Sequence, residues 1–230
     1  MDKFDICIPY KASKTDELRY CLRSLKNIPH NRVFICGDKP DFISDQVIYL
    51  PRQETGKTAQ HDSELNIRLA LLDDRLSDDF ILMNDDFIIL KPIDYLPNYH
   101  QGDINDVIKE RKSPMFLRHN KSLLETKRYL QDENALSYEL HIPMIFNKRK
   151  RLQVSDEILP ILEKGKTVLP RSIYGNRFCD TSVLKKDVKL YSPDDKLPTG
   201  DFVSTFERSF NGKAGSIIKE RLKEKSIYER

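Results

Sequence analysis

Two adjacent acids, Asp85 and Asp86, follow the apolar run Phe80-Ile81-Leu82-Met83 and Asn84, and a second apolar run, Phe87-Ile88-Ile89-Leu90, comes directly after them. Neighbouring carboxylates repel, and at the end of a buried strand they need water or a counter-charge. Mg²⁺ or Mn²⁺ supplies one, taking one or two protein carboxylates and filling its other positions with water and phosphate oxygens. The plainer alternative is a strand that ends in a polar turn. His141, in Tyr138-Glu139-Leu140-His141-Ile142-Pro143, is a further metal ligand or acid–base group, or a core histidine with a satisfied hydrogen bond. Glu139 lies two residues earlier, on the same face of an extended segment. It is a candidate base or simply a surface acid. Asp38 and Lys39 follow Gly37; an acid there binds a base or ribose in dinucleotide folds, or belongs to a β-turn. Lys57, Asn66 and Arg68 flank one helical stretch. Arg171 and Asp180 belong to a polar cluster over 171–180, and arginine suits the clamping of phosphate.

The elements that position these residues follow from hydrophobic periodicity. Apolar runs predict strands over 4–9, 32–36, 46–50, 80–83 and 87–90, and helical spacing predicts helices over 15–27 and 62–72. Continuous apolar runs belong to parallel strands buried on both faces. The order strand, helix, strand, strand, helix, strand is that of a doubly wound nucleotide-binding half, whose ligands sit beyond the carboxyl ends of the strands. Pro9-Tyr10-Lys11, Gly37-Asp38-Lys39 and Asn84-Asp85-Asp86 all fall there. Further on, the patterns predict a strand over 115–117 and an extended stretch over 138–146. They also predict helices over 121–131, 152–162 and 214–224 and a short strand over 201–205. The expectation is a single α/β domain over 1–230, with one mixed, mostly parallel sheet flanked by helices. Residues 1–98 form its nucleotide-binding half and 99–230 the second half with a closing helix, the halves that the resemblance below assigns to nucleotide sugar and acceptor.

Composition agrees with a globular chain: 230 residues, 39% hydrophobic, 33% charged, net charge +3. No apolar run approaches the ~20 residues of a membrane span, and the first residues do not read as a signal peptide. Cys7, Cys21, Cys36 and Cys179 form no CxxC pair, so a reducing, cytoplasmic setting is expected rather than a disulfide or zinc framework. The basic run at 148–151 and the basic residues of 213–230 are solvated faces or an attraction for an anionic partner. Gly56-Lys57-Thr58 lacks the earlier glycine of a P-loop, and GxSxG, HExxH and GxGxxG are absent.

Taken together, the segments 16–25, 33–42, 80–87 and 141–148 resemble the Stealth-type sugar-phosphate transferases. They look closer still to small glycosyltransferase-like proteins of bacteria and their phages, in order and approximate spacing over residues 5–180. The closing Ser226-Ile227-Tyr228-Glu229 looks like the end of those small proteins. The resemblance implies a GT-A-like nucleotide-diphospho-sugar transferase fold. It implies that Asp85 and Asp86 hold the metal and donor diphosphate, that His141 belongs to the active site, and that Arg171 binds phosphate. Where Stealth proteins carry a segment like YTWVDG, this chain has Ile8-Pro9-Tyr10-Lys11, a departure that favours glycosyl over sugar-phosphate transfer. Asp86 is then the main ligand of Mn²⁺ or Mg²⁺, assisted by Asp85 and by His141 as ligand or phosphate contact. Pro9, Tyr10, Lys11, Asp38, Lys39, Lys57, Asn66 and Asn84 line the nucleotide pocket, Arg171 offsets leaving-group charge, and Glu139 or Asp180 serves as base if configuration inverts. The expected partners are a nucleotide sugar and a glycan, cell-wall polymer or modified DNA base as acceptor. The alternatives are transfer of sugar 1-phosphate and a non-catalytic module that binds nucleic acid or polysaccharide.

Overall fold

The computed structural model describes residues 3–53 and 55–230. Strand β1 (Phe4–Tyr10) lies in the middle of the main sheet. Its side chains alternate between faces: Ile6 and Ile8 pack with Leu18 and Leu22 of helix α1 (Glu17–Ser24), while Cys7 packs with Phe34 and Cys36 on the other side. Strands β2 (His30–Gly37) and β3 (Val47–Pro51) add in parallel on one flank. Helix α2 (Ala59–Leu72) then crosses to β4 (Asp79–Leu82), which pairs in parallel with the other flank of β1. The chain returns later for β7 (Met144–Asn147), antiparallel to β4, giving the order β3-β2-β1-β4-β7. All four parallel strands end on one rim. The fold is thus α/β with a mostly parallel sheet, as the continuous apolar runs predict.

The run at 87–90 does not join this sheet. Strand β5 (Phe87–Ile89) pairs antiparallel with β9 (Phe202–Ser204), forming a separate ribbon over α1. A second ribbon joins β6 (Tyr99–His100) to β8 (Val183–Leu184). Helix α3 (Ile104–Glu110) packs on α4 (Leu117–Leu130), and α5 (Lys148–Glu163) and α6 (Pro170–Phe178) cover the α2 face of the sheet. The strand expected over 115–117 is instead a 3₁₀ turn, Pro114–Phe116, leading into α4. Proline at the head of a helical turn presets its φ, and Met115 and Leu117 stay exposed, so no sheet face claims them. Helices α7 (Glu207–Phe210) and α8 (Lys213–Arg221) close the chain. Residues from both sides of position 98 share one core: Ile6 and Val33 cluster with Leu140, Phe202 and Ile218. All four cysteines are free. Among the described residues, no helix is long and apolar enough to cross a membrane.

Candidate active site

The carboxyl rim of the parallel strands is built by one glycine turn. Gly37 has φ 131°, and a Cβ there would lie 2.0 Å from the carbonyl oxygen of Tyr10. Only glycine lets β2 approach β1 so closely, and the turn carries the Asp38 amide to the Tyr10 carbonyl at 3.0 Å. A cavity of about 470 Å³ opens on this rim. Of the residues predicted for the nucleotide pocket, Pro9, Tyr10, Lys11, Lys57, Asn66, Asn84 and Asp85 line it, joined by Arg52, Thr58, Asp62 and Ser63. Its outer wall is tied to α2. Asn66 accepts from the Gln53 amide (2.7 Å) and donates to the carbonyl oxygens of Gln53 and Asp62. Asp62 accepts from the amide and hydroxyl of Thr55, and Thr58 caps the helix through the His61 amide. Asn66 is therefore a wall-holding residue. Lys57 pairs with Glu163 on α5.

Asp38 and Lys39 sit beside this cavity without lining it. Asp38 accepts from the Ala12 amide at 2.7 Å and from Arg52 at 3.1 Å, so its carboxylate fixes the loop after β1 and holds a cavity-lining guanidinium. The Lys39 ammonium lies 5.5 Å from the Tyr49 ring centroid.

The two acids part company. After β4, the Met83 amide still bonds the Cys7 carbonyl (3.1 Å), and a turn closes from the Phe87 amide to the Asn84 carbonyl (3.2 Å). The turn sends Asp85 toward the cavity. Burial, then the nearby charges of Asp86 and Glu17, push its carboxyl up to about 7. Asp86 turns to the ribbon, where one carboxylate oxygen accepts from both Lys189 and Ser204. The backbone holds this arrangement: Ser204 pairs with Phe87, Lys189 bridges to Ser204, and the Thr205 amide bonds the Asp86 carbonyl. The Asp86 and Lys189 side chains are 14% and 12% exposed, so the pair is largely withdrawn from solvent.

A second cavity, of about 370 Å³, adjoins the first; Ser63 and Asn84 line both. Glu139, His141 and Arg171, three of the candidate catalytic residues, line it together. Glu139 accepts from the amide and hydroxyl of Ser172 (2.9 and 3.0 Å), in the first turn of α6, where the helix dipole favours a negative charge. Arg171 donates to the Ile142 carbonyl at 2.6 Å, and its Nε is buried with no partner. Burial lowers its guanidinium to about 10, with Glu139 and Asp187 acting against that. His141 is bound through Nδ1 to Asp187 at 2.9 Å. Asp180 is exposed and lines neither cavity, and Arg68 pairs with Asp156 on the surface.

Three contributions escape sequence inspection. Asp187 orients His141 from a distant loop. His119, on α4, lines the second cavity with Nε2 buried and unpartnered, and burial lowers its imidazole to about 4, so it is neutral near pH 7. Arg151 on α5 and Glu64 on α2 form a two-pronged buried pair, 2.7 Å on each prong, beneath the same cavity. That pair absorbs part of the basic run at 148–151. Lys148 caps the carbonyl oxygens of Asp73 and Leu76, and Lys150 lies over Phe178.

The set Asp85, Asp86 and His141 does not converge. Asp86 is held by Lys189 and His141 by Asp187, and among the described residues no three His, Cys, Asp or Glu side chains gather to hold a metal. What the residues would fit is a cation on the single carboxylate of Asp85, a half-buried acid whose charge burial and two neighbouring acids disfavour. Water and phosphate oxygens would complete the shell, as Mg²⁺ prefers.

No protein-family model matches the chain, and no curated protein matches it in sequence. Among solved structures, it is similar to the apo form of the bifunctional glycosyltransferase WbbM. The identity is 9% and the TM-score 0.56, over 97% of this chain and 50% of that one. It is also similar to the galactosyltransferase LgtC in complex with donor and acceptor sugar analogues, at 9% identity and TM-score 0.52, over 96% of each chain. The chain thus spans half the length of the first and nearly all of the second. It has the GT-A-like α/β fold of these glycosyltransferases.

Proposed function

We propose that this protein transfers a sugar from a nucleotide-diphosphate donor to an acceptor hydroxyl. One observation carries the proposal: two cavities adjoin at Asn84, beside an acid that faces the first, on the carboxyl rim of a GT-A-like sheet. The first cavity suits the nucleotide diphosphate and the second the acceptor. That LgtC was solved with donor and acceptor sugar analogues supports a two-place arrangement.

In this scheme Tyr10 and Lys11 contact the nucleotide, while Asp38 orients Arg52 toward it. Asp85 would hold Mg²⁺ or Mn²⁺, which when bound offsets charge on the departing diphosphate. Asp86 acts from behind, fixing the turn that aims Asp85. Arg171 adds positive charge from the second cavity. Glu139 is the better placed of the two candidate bases for an inverting reaction, since Asp180 lies outside both cavities. Its carboxylate would take the acceptor proton as the oxygen attacks the sugar carbon. Retention would need no such base.

A glycan, a cell-wall polymer or a modified DNA base are the acceptor classes this scheme allows, and a cytoplasmic setting fits the free thiols. Sugar 1-phosphate transfer of the Stealth type uses the same centre but releases a nucleotide monophosphate instead of a diphosphate. A non-catalytic binding module would release neither. The test is a donor screen with Mg²⁺ or Mn²⁺ and with chelator, measuring which nucleotide is released. Wild type should release a nucleoside diphosphate, and Asp85→Ala should slow release by roughly a hundredfold or more. Equal release from both proteins would overturn the assignment.

A further inference from the structure

A third cavity, about 660 Å³ and so larger than the two above, lies at the opposite end of β4. It is lined by Asp79, the first residue of that strand, and by Asn147, the last residue of β7. Asn84 is five residue steps beyond Asp79, so about 16 Å of extended chain divides it from the rim. Nothing in the proposed transfer uses it. Its volume falls in the range of small-ligand sites, roughly 300–1,000 Å³.

The lining has one chemical character. Tyr95 is 75% exposed, an aromatic ring left open to solvent at the cavity edge. Phe178 adds a half-buried ring in the wall, and Asn98, Thr181 and Ser182 add amide and hydroxyl groups. The lining carries one acid, Asp79, and one base, Lys150. Asp79 accepts from Asn147 at 2.9 Å, beside the N-terminus of α5, and the Lys150 ammonium lies 5.2 Å from the Phe178 ring centroid. A phosphate or carboxylate would meet the Asp79 charge, against which the lining sets the single exposed ammonium of Lys150. A pyranose chain matches instead, since its C–H face packs on an open aromatic ring and its hydroxyls both donate to and accept from amides and hydroxyls.

We propose that this cleft binds a neutral oligosaccharide segment, a second grip on a glycan away from the transfer site. The proposal stands apart from the transfer scheme: the cleft can bind sugar whether or not the rim cavities transfer it. The experiment is isothermal titration of the full chain with maltohexaose, cellohexaose and chitohexaose. Wild type should bind at least one of the three saturably. Tyr95→Ala should weaken that binding roughly tenfold without lowering thermal stability, because the ring is exposed. Asn98→Ala should weaken it as well, while Asp85→Asn at the rim should leave it unchanged. No saturable binding to any of the three probes overturns the proposal. So does binding that survives Tyr95→Ala, which would place the sugar elsewhere, such as in the acceptor cavity.

Discussion

At the residue scale, the two neighbouring acids have opposite work. Asp86 is a partner of Lys189 and Ser204, while Asp85 is a cavity residue whose ionised form burial and like charges disfavour. Substitution should separate them. Asp86→Asn leaves a largely buried ammonium without its carboxylate and should cost about 3 kcal/mol in urea unfolding. Adding Lys189→Met should recover part of that loss, a coupling that a double-mutant cycle isolates. Asp85→Asn should instead raise stability, by about 1 kcal/mol, because it removes a charge that Asp86 and Glu17 repel, while nucleotide release falls. If Asp85→Asn destabilises the protein as much as Asp86→Asn, the division of roles is wrong. The adjacency of the acids is visible in sequence, but their division is not. It depends on β9 and on Lys189, both far along the chain.

At the element scale, the rim depends on the β1–β2 crossing at Gly37. Gly37→Ala would force a methyl group into the Tyr10 carbonyl at a φ that L side chains rarely adopt. The expected cost is about 3 kcal/mol or more in urea unfolding, with weaker nucleotide binding as Tyr10 and Asp38 shift. Unchanged stability would show that the turn relaxes freely. Strands β1, β2 and β4 were readable because each is buried on both faces and therefore continuously apolar. Phe87-Ile88-Ile89 carries the same signature, yet pairs with Phe202–Ser204, since a local run says nothing of a partner over a hundred residues away. Helix α6 hid behind Ser172, Gly175 and Asn176, poor helix formers retained for other reasons. Ser172 binds Glu139, Asn176 holds the backbone of Leu136, and a Cβ at Gly175 would strike the Tyr138 ring at 2.4 Å. The rim residues were foreseeable because strand ends define them. His119, Asp187 and the Glu64–Arg151 pair were not, because separate elements bring them together.

At the scale of the whole molecule, residues 226–230 lie against α1 and the segment before β3, tying the end of the sequence to the first half of the fold. Tyr228 meets His30 at 2.6 Å, its carbonyl takes the Ser44 amide, and the Arg230 amide bonds the Phe42 carbonyl. The Glu229 side chain is wholly buried and bound to Arg23 at 2.8 and 2.9 Å and to Arg19 at 3.4 Å. Burial acts to raise its carboxyl, but the Arg23 hydrogen bonds, the Ser226 amide, the Arg23 charge and the Arg19 hydrogen bond prevail, and the group titrates below the usual glutamate range. The sign follows from linkage: a depressed acid stabilises the folded state above its unfolded value, near 4.5, and that contribution fades as pH falls through the lower folded value. Glu229→Gln should therefore cost about 3 kcal/mol at pH 7. The gap between variant and wild type should stay constant down to about pH 5, then narrow below about 4.5, as followed by urea unfolding at several pH values. A gap that does not change from pH 7 to pH 3 would mean that the ion pair is not its source. The same clip bears on the rim, because Arg19 and Arg23 sit on α1 beside Glu17, one of the acids that sets the charge state of Asp85. A Glu229→Gln protein that unfolds more easily should also bind the proposed donor nucleotide more weakly near its transition, although the substitution lies outside both rim cavities.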